Sequence, residues 1–278
     1  MRLRSLLFVP GDRPDRMHKA IASGADAVIL DLEDSVALER KPWARKDVTA
    51  FLAETGRDVP VFVRINPLGS PFVRDDINAL LSAKPDGIVL PKAEGAASVL
   101  DLATMLGLAD IKILPIATET PKSIFALDTF DQVAERLAGI TWGAEDLSAA
   151  VGAATAREAD GRFTPPYEMV RSLSLFAASA ADVPAIETVY PDITDSEGLA
   201  AYAARGRRDG FAAMMAIHPS QVPIINAAFT PSAHEIAHAR VIVEAFAANP
   251  GAGVLQIEGR MVDLPHLKAA RKLLGSVE

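Results

Sequence analysis

The chain has 278 residues, of which half are hydrophobic and 6% are aromatic, and it carries a formal net charge of −8. This length suits one large α/β domain, and the acidic balance argues against a nucleic-acid-binding surface, which needs clustered excess lysine and arginine. The absence of cysteine excludes disulfides, thiolate metal sites and cysteine nucleophiles. No apolar run is long enough for a membrane span, and the first one is too short for a signal peptide and ends in Pro-Gly-Asp. We therefore expect a soluble cytoplasmic protein that binds neither nucleic acid nor membrane.

Short runs rich in valine, isoleucine and leucine recur along the chain, and most of them end in a polar or ionisable residue. The runs are mostly continuous rather than alternating, as expected for strands buried on both faces of a parallel sheet. The predicted strands are 3–9, 26–31, 60–65, 87–91, 111–117, 139–142, 185–189 and 212–217. Amphipathic or alanine-rich stretches between them predict helices at 14–23, 43–55, 72–83, 95–107, 121–136, 165–181, 195–206 and 219–228.

Eight strands and eight helices in alternation predict an α/β protein of the (β/α)8 TIM barrel type, in which catalytic groups gather at the carboxyl ends of the strands. A doubly wound open sheet also alternates, but the turn PGDRPDR after the first strand lacks the G-x-G-x-x-G pattern of that fold. Residues 1–230 are predicted to form the catalytic barrel, with an insertion at 147–164 after the sixth strand.

Residues 231–278 follow the eighth helix and are not needed by a barrel. They predict a helix at 231–248, a glycine-rich turn, a short strand pair near 254–262 and a last helix from Pro265. We expect this C-terminal extension to serve as a lid, as an oligomer arm, or as both.

Arg64 ends the third predicted strand, in VFVRINP, so its side chain should lie at the mouth of the barrel. A planar guanidinium there can donate to a carboxylate or to an oxygen that gains negative charge during a reaction. The alternative is a structural salt bridge to a neighbouring strand-end acid.

Glu119 and Asp146 end the fifth and sixth predicted strands, which are neighbours in a barrel. Two adjacent carboxylates repel each other unless a cation or a proton intervenes, and with no cysteine and few histidines a hard cation is favoured. Mg²⁺ takes one or two protein carboxylates and leaves its other positions to water and substrate oxygens. The alternative for each acid is a helix N-cap. Of Glu145 and Asp146, only one can point inward.

Asp31, Glu33 and Asp34 form a further acidic cluster at the end of the second strand. In an extended chain Asp31 and Glu33 share a side, whereas Asp34 points elsewhere. We expect these acids to hold water around a metal or to orient Lys92, which ends the fourth strand in VLPKAE. A purely structural role is an equal alternative.

Basic residues occur in the first loop and helix and near the loop after the second strand. Together they can bind the phosphates of a long anionic ligand, although a solvated surface is an equal alternative. These residues are Arg13, Arg16, Lys19, Lys41 and Arg45.

Two residues of later motifs are also candidates. Asp263 precedes the proline that starts the last helix, so an N-cap role competes with a functional one. His218 precedes Pro219 at the start of another helix, which favours a structural role over a ligand.

The order and spacing of these motifs resemble the citrate lyase beta-subunit-like family, which includes malyl-CoA and citramalyl-CoA lyases. The individual motifs are short, but the resemblance runs from end to end. It is carried by SLLFVPGDRPDRM, GADAVILDLEDSV, KPWAR, VFVRINP, GIVLPKAE, ATETP, WGAEDL, ETVYPDITD, IHPSQV with IIN and FTPS, and GRMVDLPHLKAAR.

The resemblance implies a (β/α)8 barrel, dependence on Mg²⁺, an acyl-CoA substrate and a trimer or hexamer. It implies that Glu119 and Asp146 are the metal ligands and that Arg64 and Glu119 contact the substrate, with Arg64 holding the oxo-acid or alkoxide oxygen. Asp263 resembles a catalytic acid that the tail of a neighbouring subunit lays over the active site.

The sequence departs from the family pattern in one motif. Near the eighth strand the family reads G-F-x-G-K-x-x-I-H-P, whereas this chain has Ala213 and Met214 in place of the glycine and the lysine. The lost cation weakens any assignment of a particular substrate. Related hydroxy-oxo-acid aldolases carry a catalytic histidine where this chain has Asp34, which disfavours their chemistry.

The hypothesis from sequence is a reversible, Mg²⁺-dependent carbon–carbon lyase. It would cleave a β-hydroxyacyl-CoA of the malyl-, citramalyl- or citryl-CoA type into acetyl-CoA and a 2-oxo acid. One alternative is a malyl-CoA-type thioesterase that uses the same metal site. Another is a citrate lyase beta subunit that acts only within a complex.

Overall fold

The computed structural model describes residues 3–54 and 58–275, and these divide into two compact units. The larger unit is Leu3–Phe229, and the smaller one begins at Thr230. The end of the predicted helix at 43–55 lies partly outside the described residues. Within them, no helix is long and apolar enough to cross a membrane.

The larger unit is built around one sheet of eight parallel strands. In chain order, β1 to β8 are Ser5–Pro10, Ala27–Asp31, Val61–Arg64, Gly87–Leu90, Lys112–Pro115, Ile140–Thr141, Ala185–Glu187 and Ala213–Ala216. Their order in the sheet is β5-β4-β3-β2-β1-β8-β7-β6. Parallel bridges Ile113–Leu137 and Ile116–Thr141 join the two edges. The sheet therefore closes on itself, as the predicted barrel requires and an open doubly wound sheet does not.

Alternate residues of each strand belong to two separate hydrophobic clusters, as the two-residue period of a strand requires. Ala27 and Ile29 of β2 lie in the smaller cluster inside the barrel, whereas Val28 and Leu30 pack in the larger cluster, against the helices. The interior cluster consists of Leu6, Ala27, Ile29, Phe62, Val89, Leu114, Ile116, Ile186, Ala213 and Met215. By the same alternation, the Asp31 side chain points to the inside of the barrel, at the end of β2 where the barrel opens.

The helices surround the sheet. In chain order, α1 to α9 are Pro14–Ile21, Lys41–Ala53, Val73–Ala83, Ala96–Leu106, Pro121–Ile124, Glu145–Val151, Pro165–Ala180, Ser196–Asp209 and Gln221–Ala228. The predicted insertion at 147–164 begins with the last residues of α6 and continues as a loop that a bridge between Arg157 and Phe163 closes.

The prediction of one helix at 121–136 is wrong. The α-helix α5 covers only Pro121–Ile124, and Leu127–Arg136 follows as 3₁₀ turns with a non-helical Val133. The Thr129 hydroxyl donates to Ala126 O at 2.7 Å and accepts from the Ala96 amide at 2.8 Å. These bonds hold the segment against the start of α4 and compete with a continuous helix.

The smaller unit follows the predicted order of elements. It consists of α10 at Ala233–Ala248, strands β9 at Val254–Ile257 and β10 at Arg260–Asp263, and α11 at Leu264–Gly275. The unit has its own hydrophobic cluster, which includes Ile242, Phe246 and Val262. The role of this extension as a lid or an oligomer arm stays a prediction.

Glu187 ends β7 on the helix-facing side of the barrel, because Ile186 beside it points inward. Its carboxylate is fully buried, accepts from Trp142 Nε1 at 2.6 Å and Tyr202 Oη at 2.8 Å, and pairs with Arg171 Nε at 2.7 Å. Arg171 also donates to Asp209 at 2.8 Å. This strand-end acid therefore joins the sixth and seventh strands to the helices around them.

We expect Arg171→Leu to lower the free energy of unfolding by about 3–5 kcal/mol, because it leaves a buried carboxylate without its cation. Urea unfolding followed by circular dichroism measures the change. The matched control is Arg208→Leu, since Arg208 also pairs with Asp209 but is 73% exposed. That variant should stay within about 0.5 kcal/mol of the parent. Equal losses in both variants would contradict the prediction.

Candidate active site

The Asp31–Arg64 ion pair stands at the carboxyl ends of β2 and β3. The two residues are direct partners in the sheet register. Arg64 Nε and Nη2 each lie 2.7 Å from one oxygen of Asp31, in a bidentate pair. The Asp31 carboxylate also accepts the amides of Glu33 and Ser35. Burial alone would raise the pKa of Asp31, but the Arg64 charge and these hydrogen bonds hold it below its ordinary value.

Arg64 therefore forms the structural salt bridge that the sequence left as an alternative. Its guanidinium lies 5.0 Å from the centre of the Phe8 ring, and its side chain is 13% exposed. Burial opposes its charge, yet Asp31 raises the pKa of Arg64 above its ordinary value. Because Asp31 uses only one edge of the guanidinium, the pair does not exclude a further role at the mouth.

Glu33 lies between two cations. Its Oε1 is 2.7 Å from Lys92 Nζ, and its Oε2 is 3.0 Å from Arg64 Nη1, although that oxygen accepts no hydrogen bond of good geometry. Burial raises the pKa of Glu33 in spite of both cations. Asp34 points outward, is 60% exposed and approaches Arg64 only to 4.0 Å. The predicted orientation of Lys92 by this cluster thus comes from Glu33.

Lys92 also contacts both acids of the predicted metal pair. Its amide donates to Glu119 Oε2 at 2.5 Å, and its Nζ lies 3.1 Å from Asp146 Oδ1. Burial disfavours its charge, but the hydrogen bond to Glu33 outweighs this and raises the pKa of the ammonium above its ordinary value. The sequence placed Lys92 near the acids but did not reveal that it connects them.

Glu119 is the most strongly perturbed acid of the site. The segment after β5 bonds to both neighbouring strands, through Ile116 N to Leu90 O and Ala117 N to Thr141 O, so Glu119 lies between their ends. Burial raises the pKa of Glu119 to about 8 against the hydrogen bond from the Lys92 amide, and the charge of Asp146 adds to the rise.

Asp146, and not Glu145, takes part in this cluster, because Glu145 is exposed and Asp146 reaches Lys92. The interpretation of the acids as N-caps is wrong for both. Thr120 caps α5 through Ser123, and Ala144 occupies the N-cap position of α6, with Asp146 in the first turn.

The Glu119 and Asp146 carboxylates fit a small, hard cation. Burial, and then the charge of Asp146, raise the pKa of Glu119, and a positive charge between the two carboxylates would relieve both effects. Within residues 3–54 and 58–275, no group of three or more histidines, aspartates or glutamates is arranged to hold a metal. Mg²⁺ binds through one or two carboxylates and keeps several waters, so a two-acid site matches its needs.

Two of the predicted phosphate-binding residues serve the fold instead. Lys41 is buried and donates to Leu32 O at 2.8 Å and Glu33 O at 2.9 Å, so it supports the loop after β2. Arg45 pairs with buried Asp76 at 2.6 Å. The prediction is wrong for these two. Arg13, Arg16 and Lys19 are exposed, and their binding of phosphate stays a prediction.

The remaining candidates lie in separate surroundings. His218 forms a 2.7 Å hydrogen bond with Ser220 in its own turn, in line with the favoured structural role. Asp263 belongs to the smaller unit, where its Oδ1 lies 2.5 Å from His266 Nδ1. That hydrogen bond holds the pKa of Asp263 below its ordinary value. Its role as a catalytic acid stays a prediction.

Ala213 and Met214, which replace the glycine and lysine of the family pattern, are buried in different layers of the barrel. Ala213 lies in the interior cluster, whereas Met214 packs in the cluster between the strands and the helices. The methionine therefore occupies an apolar, helix-facing position and contributes to packing.

Comparison with known proteins places the chain in one family. Residues 4–219 match the family model described as HpcH/HpaI aldolase/citrate lyase. The chain belongs to that family. It is 38% identical over 268 residues to a citrate lyase subunit beta-like protein of Mycobacterium tuberculosis, covering 96% of this chain and 93% of the relative.

Two further relatives extend the comparison. The chain is 33% identical over 283 residues to a (3S)-malyl-CoA thioesterase of Cereibacter sphaeroides, covering 99% of this chain and 94% of the relative. The crystal structure of CitE from Mycobacterium tuberculosis in complex with magnesium, acetoacetate and coenzyme A superposes with a TM-score of 0.84 at 37% identity. That superposition covers 99% of this chain and 98% of CitE.

The raised pKa of Glu119 makes the metal-free protein sensitive to pH. A carboxyl group whose pKa rises from 4.5 unfolded to about 8 folded binds its proton more tightly in the native state. The proton on Glu119 therefore contributes fully to stability below the pKa of the unfolded state. This contribution is lost as the pH rises from that pKa to the pKa of the folded state.

We expect the metal-free protein to lose on the order of 3 kcal/mol of unfolding free energy between about pH 5 and pH 8, and Glu119→Gln to remove most of this loss. Urea unfolding in the presence of a chelator measures both. Glu94→Gln is the control, because hydrogen bonding to Lys122 lowers the pKa of Glu94. A parallel decline in wild type and Glu119→Gln would contradict the assignment.

Proposed function

We propose that this protein is a Mg²⁺-dependent carbon–carbon lyase that reversibly cleaves a β-hydroxyacyl-CoA to acetyl-CoA and a 2-oxo acid. The observation that carries the proposal is the buried Glu119 carboxylate beside Asp146 at adjacent strand ends of the barrel. The related CitE was crystallised with magnesium, acetoacetate and coenzyme A, which supports a site for a small oxo acid beside an acyl-CoA.

Glu119 and Asp146 would hold the ion through one or both carboxylates. When bound, Mg²⁺ supplies positive charge that withdraws electron density from the substrate oxygens. The backbone amide of Lys92 fixes Glu119 by donating to its Oε2. The burial of Glu119 excludes water from that side, so its carboxylate keeps one orientation.

Arg64 would donate to the substrate oxygen that changes from hydroxyl to carbonyl. Asp31 holds the guanidinium in a bidentate pair, so the donor needs no rearrangement when charge develops. Glu119 would lie beside the same oxygen and bind substrate together with Arg64. In cleavage the hydroxyl gives its proton to solvent water as it becomes the carbonyl. The carbon–carbon bond electrons move into the thioester group, and the resulting enolate takes a proton at carbon.

Asp263 would exchange that proton, as an acid in cleavage and as a base in condensation. Its hydrogen bond with His266 favours the ionised form, which suits the base of the condensation direction. Asp263 lies in the C-terminal extension, and on this proposal it would serve the active site of a neighbouring subunit in a trimer or hexamer, as the resemblance implies.

A thioesterase is the second candidate, favoured by the (3S)-malyl-CoA thioesterase among the relatives. The same acids would then activate water for attack on the thioester, and the carbon skeleton would stay intact. A third candidate, a citrate lyase beta subunit active only in a complex, is favoured by the citrate lyase subunit beta of Escherichia coli, to which the chain is 34% identical over 286 residues.

The products distinguish these candidates. We expect purified protein with Mg²⁺ to convert malyl-CoA or citramalyl-CoA to acetyl-CoA and glyoxylate or pyruvate, detected by mass spectrometry. The reverse reaction, with acetyl-CoA and glyoxylate, pyruvate or oxaloacetate, identifies the oxo acid. Release of free malate or citramalate with free CoA would support the thioesterase instead. Inactivity of the isolated chain on every free CoA ester would support the subunit.

Asp146→Ala is expected to lower Mg²⁺-dependent turnover by about a thousandfold while the protein stays folded. Its exposed neighbour provides the matched control, since Glu145→Ala removes the same charge from the same helix turn and should retain turnover. Rates at saturating Mg²⁺ and circular dichroism measure the two properties. Undiminished activity of Asp146→Ala would refute the metal assignment.

A further inference from the structure

Lys92 contacts three carboxylates that lie on three different strand ends. Its ammonium is 2.7 Å from Glu33 Oε1 and 3.1 Å from Asp146 Oδ1, and its amide donates to Glu119 at 2.5 Å. Arg64 holds Asp31 in a bidentate pair, and its Nη1 lies 3.0 Å from Glu33. Lys92 reaches both acids of the predicted metal pair, Asp146 through its ammonium and Glu119 through its amide.

The backbone of Lys92 adopts a left-handed conformation, with φ of 52°. A side chain in that region is strained, and glycine would avoid the strain. The conformation brings the amide to Glu119 and the ammonium to Asp146 at the same time. Strain of this kind persists where the surrounding contacts over-determine it, and here those contacts are the acids of the site.

The two carboxylates that hold the ammonium differ in how readily they release it. Glu33 is 4% exposed, and its contact with Lys92 is the shorter one. Asp146 is 36% exposed, and its contact is longer by 0.4 Å, from 2.7 Å to 3.1 Å. Water can solvate Asp146 when the ammonium leaves, whereas Glu33 is buried and would keep only Arg64, whose Nη1 lies 3.0 Å from Oε2 without a hydrogen bond of good geometry.

We propose that Lys92 is a positioning residue that acts as an internal counter-cation of the metal site. In the metal-free protein its ammonium bridges Glu33 and Asp146. When a divalent cation binds Glu119 and Asp146, the ammonium releases Asp146 and stays on Glu33. This inference rests on the proposed function, because it takes Glu119 and Asp146 as the metal ligands.

Two opposite effects follow from this exchange. The ammonium keeps the acids together without metal, so it stabilises the metal-free protein. The same ammonium competes with Mg²⁺ for Asp146 and repels it, so it weakens metal affinity. If Lys92 merely supported the fold, its removal would disorder the two acids and weaken Mg²⁺ binding instead of strengthening it.

Calorimetric titration of the chelator-treated full chain with MgCl₂ tests the exchange. Lys92→Met is expected to bind Mg²⁺ about tenfold more tightly than wild type, because the competing charge is gone. Its melting temperature without metal should fall, and saturating Mg²⁺ should restore more of it than in wild type. Lys122→Met is the matched control, since Lys122 pairs with Glu94 and is 80% exposed, and its Mg²⁺ affinity should not change.

Glu33→Gln should act in the opposite direction and weaken Mg²⁺ binding, because the ammonium then has Asp146 as its remaining anion. Should Lys92→Met fail to fold, Lys92→Gln replaces it in the same titration. Unchanged or weaker Mg²⁺ binding in the folded Lys92 variant overturns the inference. Glu119→Gln separates the two proposals, since retained Mg²⁺ binding in that variant overturns the metal site itself. Loss of binding there, with no tightening at Lys92, overturns the counter-cation alone.

Discussion

The bidentate pair between Asp31 and Arg64 is the interaction on which the arrangement of the site depends. Both residues follow inward-pointing residues by two positions, so their side chains also point into the barrel. The parallel register places them directly opposite each other. Asp31 occupies one edge of the Arg64 guanidinium, and Arg64 Nη1 also lies 3.0 Å from Glu33. Lys92 then connects Glu33 to Asp146 through its ammonium and to Glu119 through its amide. The electrostatic balance at the mouth thus follows from strand alternation.

The elements and the strand-end acids could be predicted because each depends on local sequence. All eight predicted barrel strands are present, each within a few residues of its predicted ends, since a buried parallel strand is a continuous apolar run. The helix at 121–136 failed because a contact 33 residues away decides it, between Thr129 and the Ala96 amide. No local pattern reports such a contact.

The contacts of the candidate side chains were harder to predict than their places along the chain. Lys41 and Arg45 had the composition of a phosphate site, but one donates to main-chain carbonyls and the other pairs with Asp76. Asp146 could be separated from Glu145 only when the first turn of α6 fixed the direction of each side chain. The left-handed backbone of Lys92 could not be predicted from the sequence, because lysine rarely adopts that conformation and does not indicate it.

Gly143 carries a consequence for how this chain can change. A β-carbon built on it would lie 3.2 Å from Glu119 Cγ, tighter than most side-chain contacts, and 3.4 Å from Ile116 Cγ2, an ordinary van der Waals distance. The Thr118 hydroxyl donates to the Gly143 carbonyl and accepts from the Gly143 amide, so the backbone at Gly143 has little freedom to move away. Even an alanine there would press on the methylene of Glu119, which would have to shift by a few tenths of an ångström. The missing side chain at residue 143 therefore leaves Glu119 the space for its position between the strand ends.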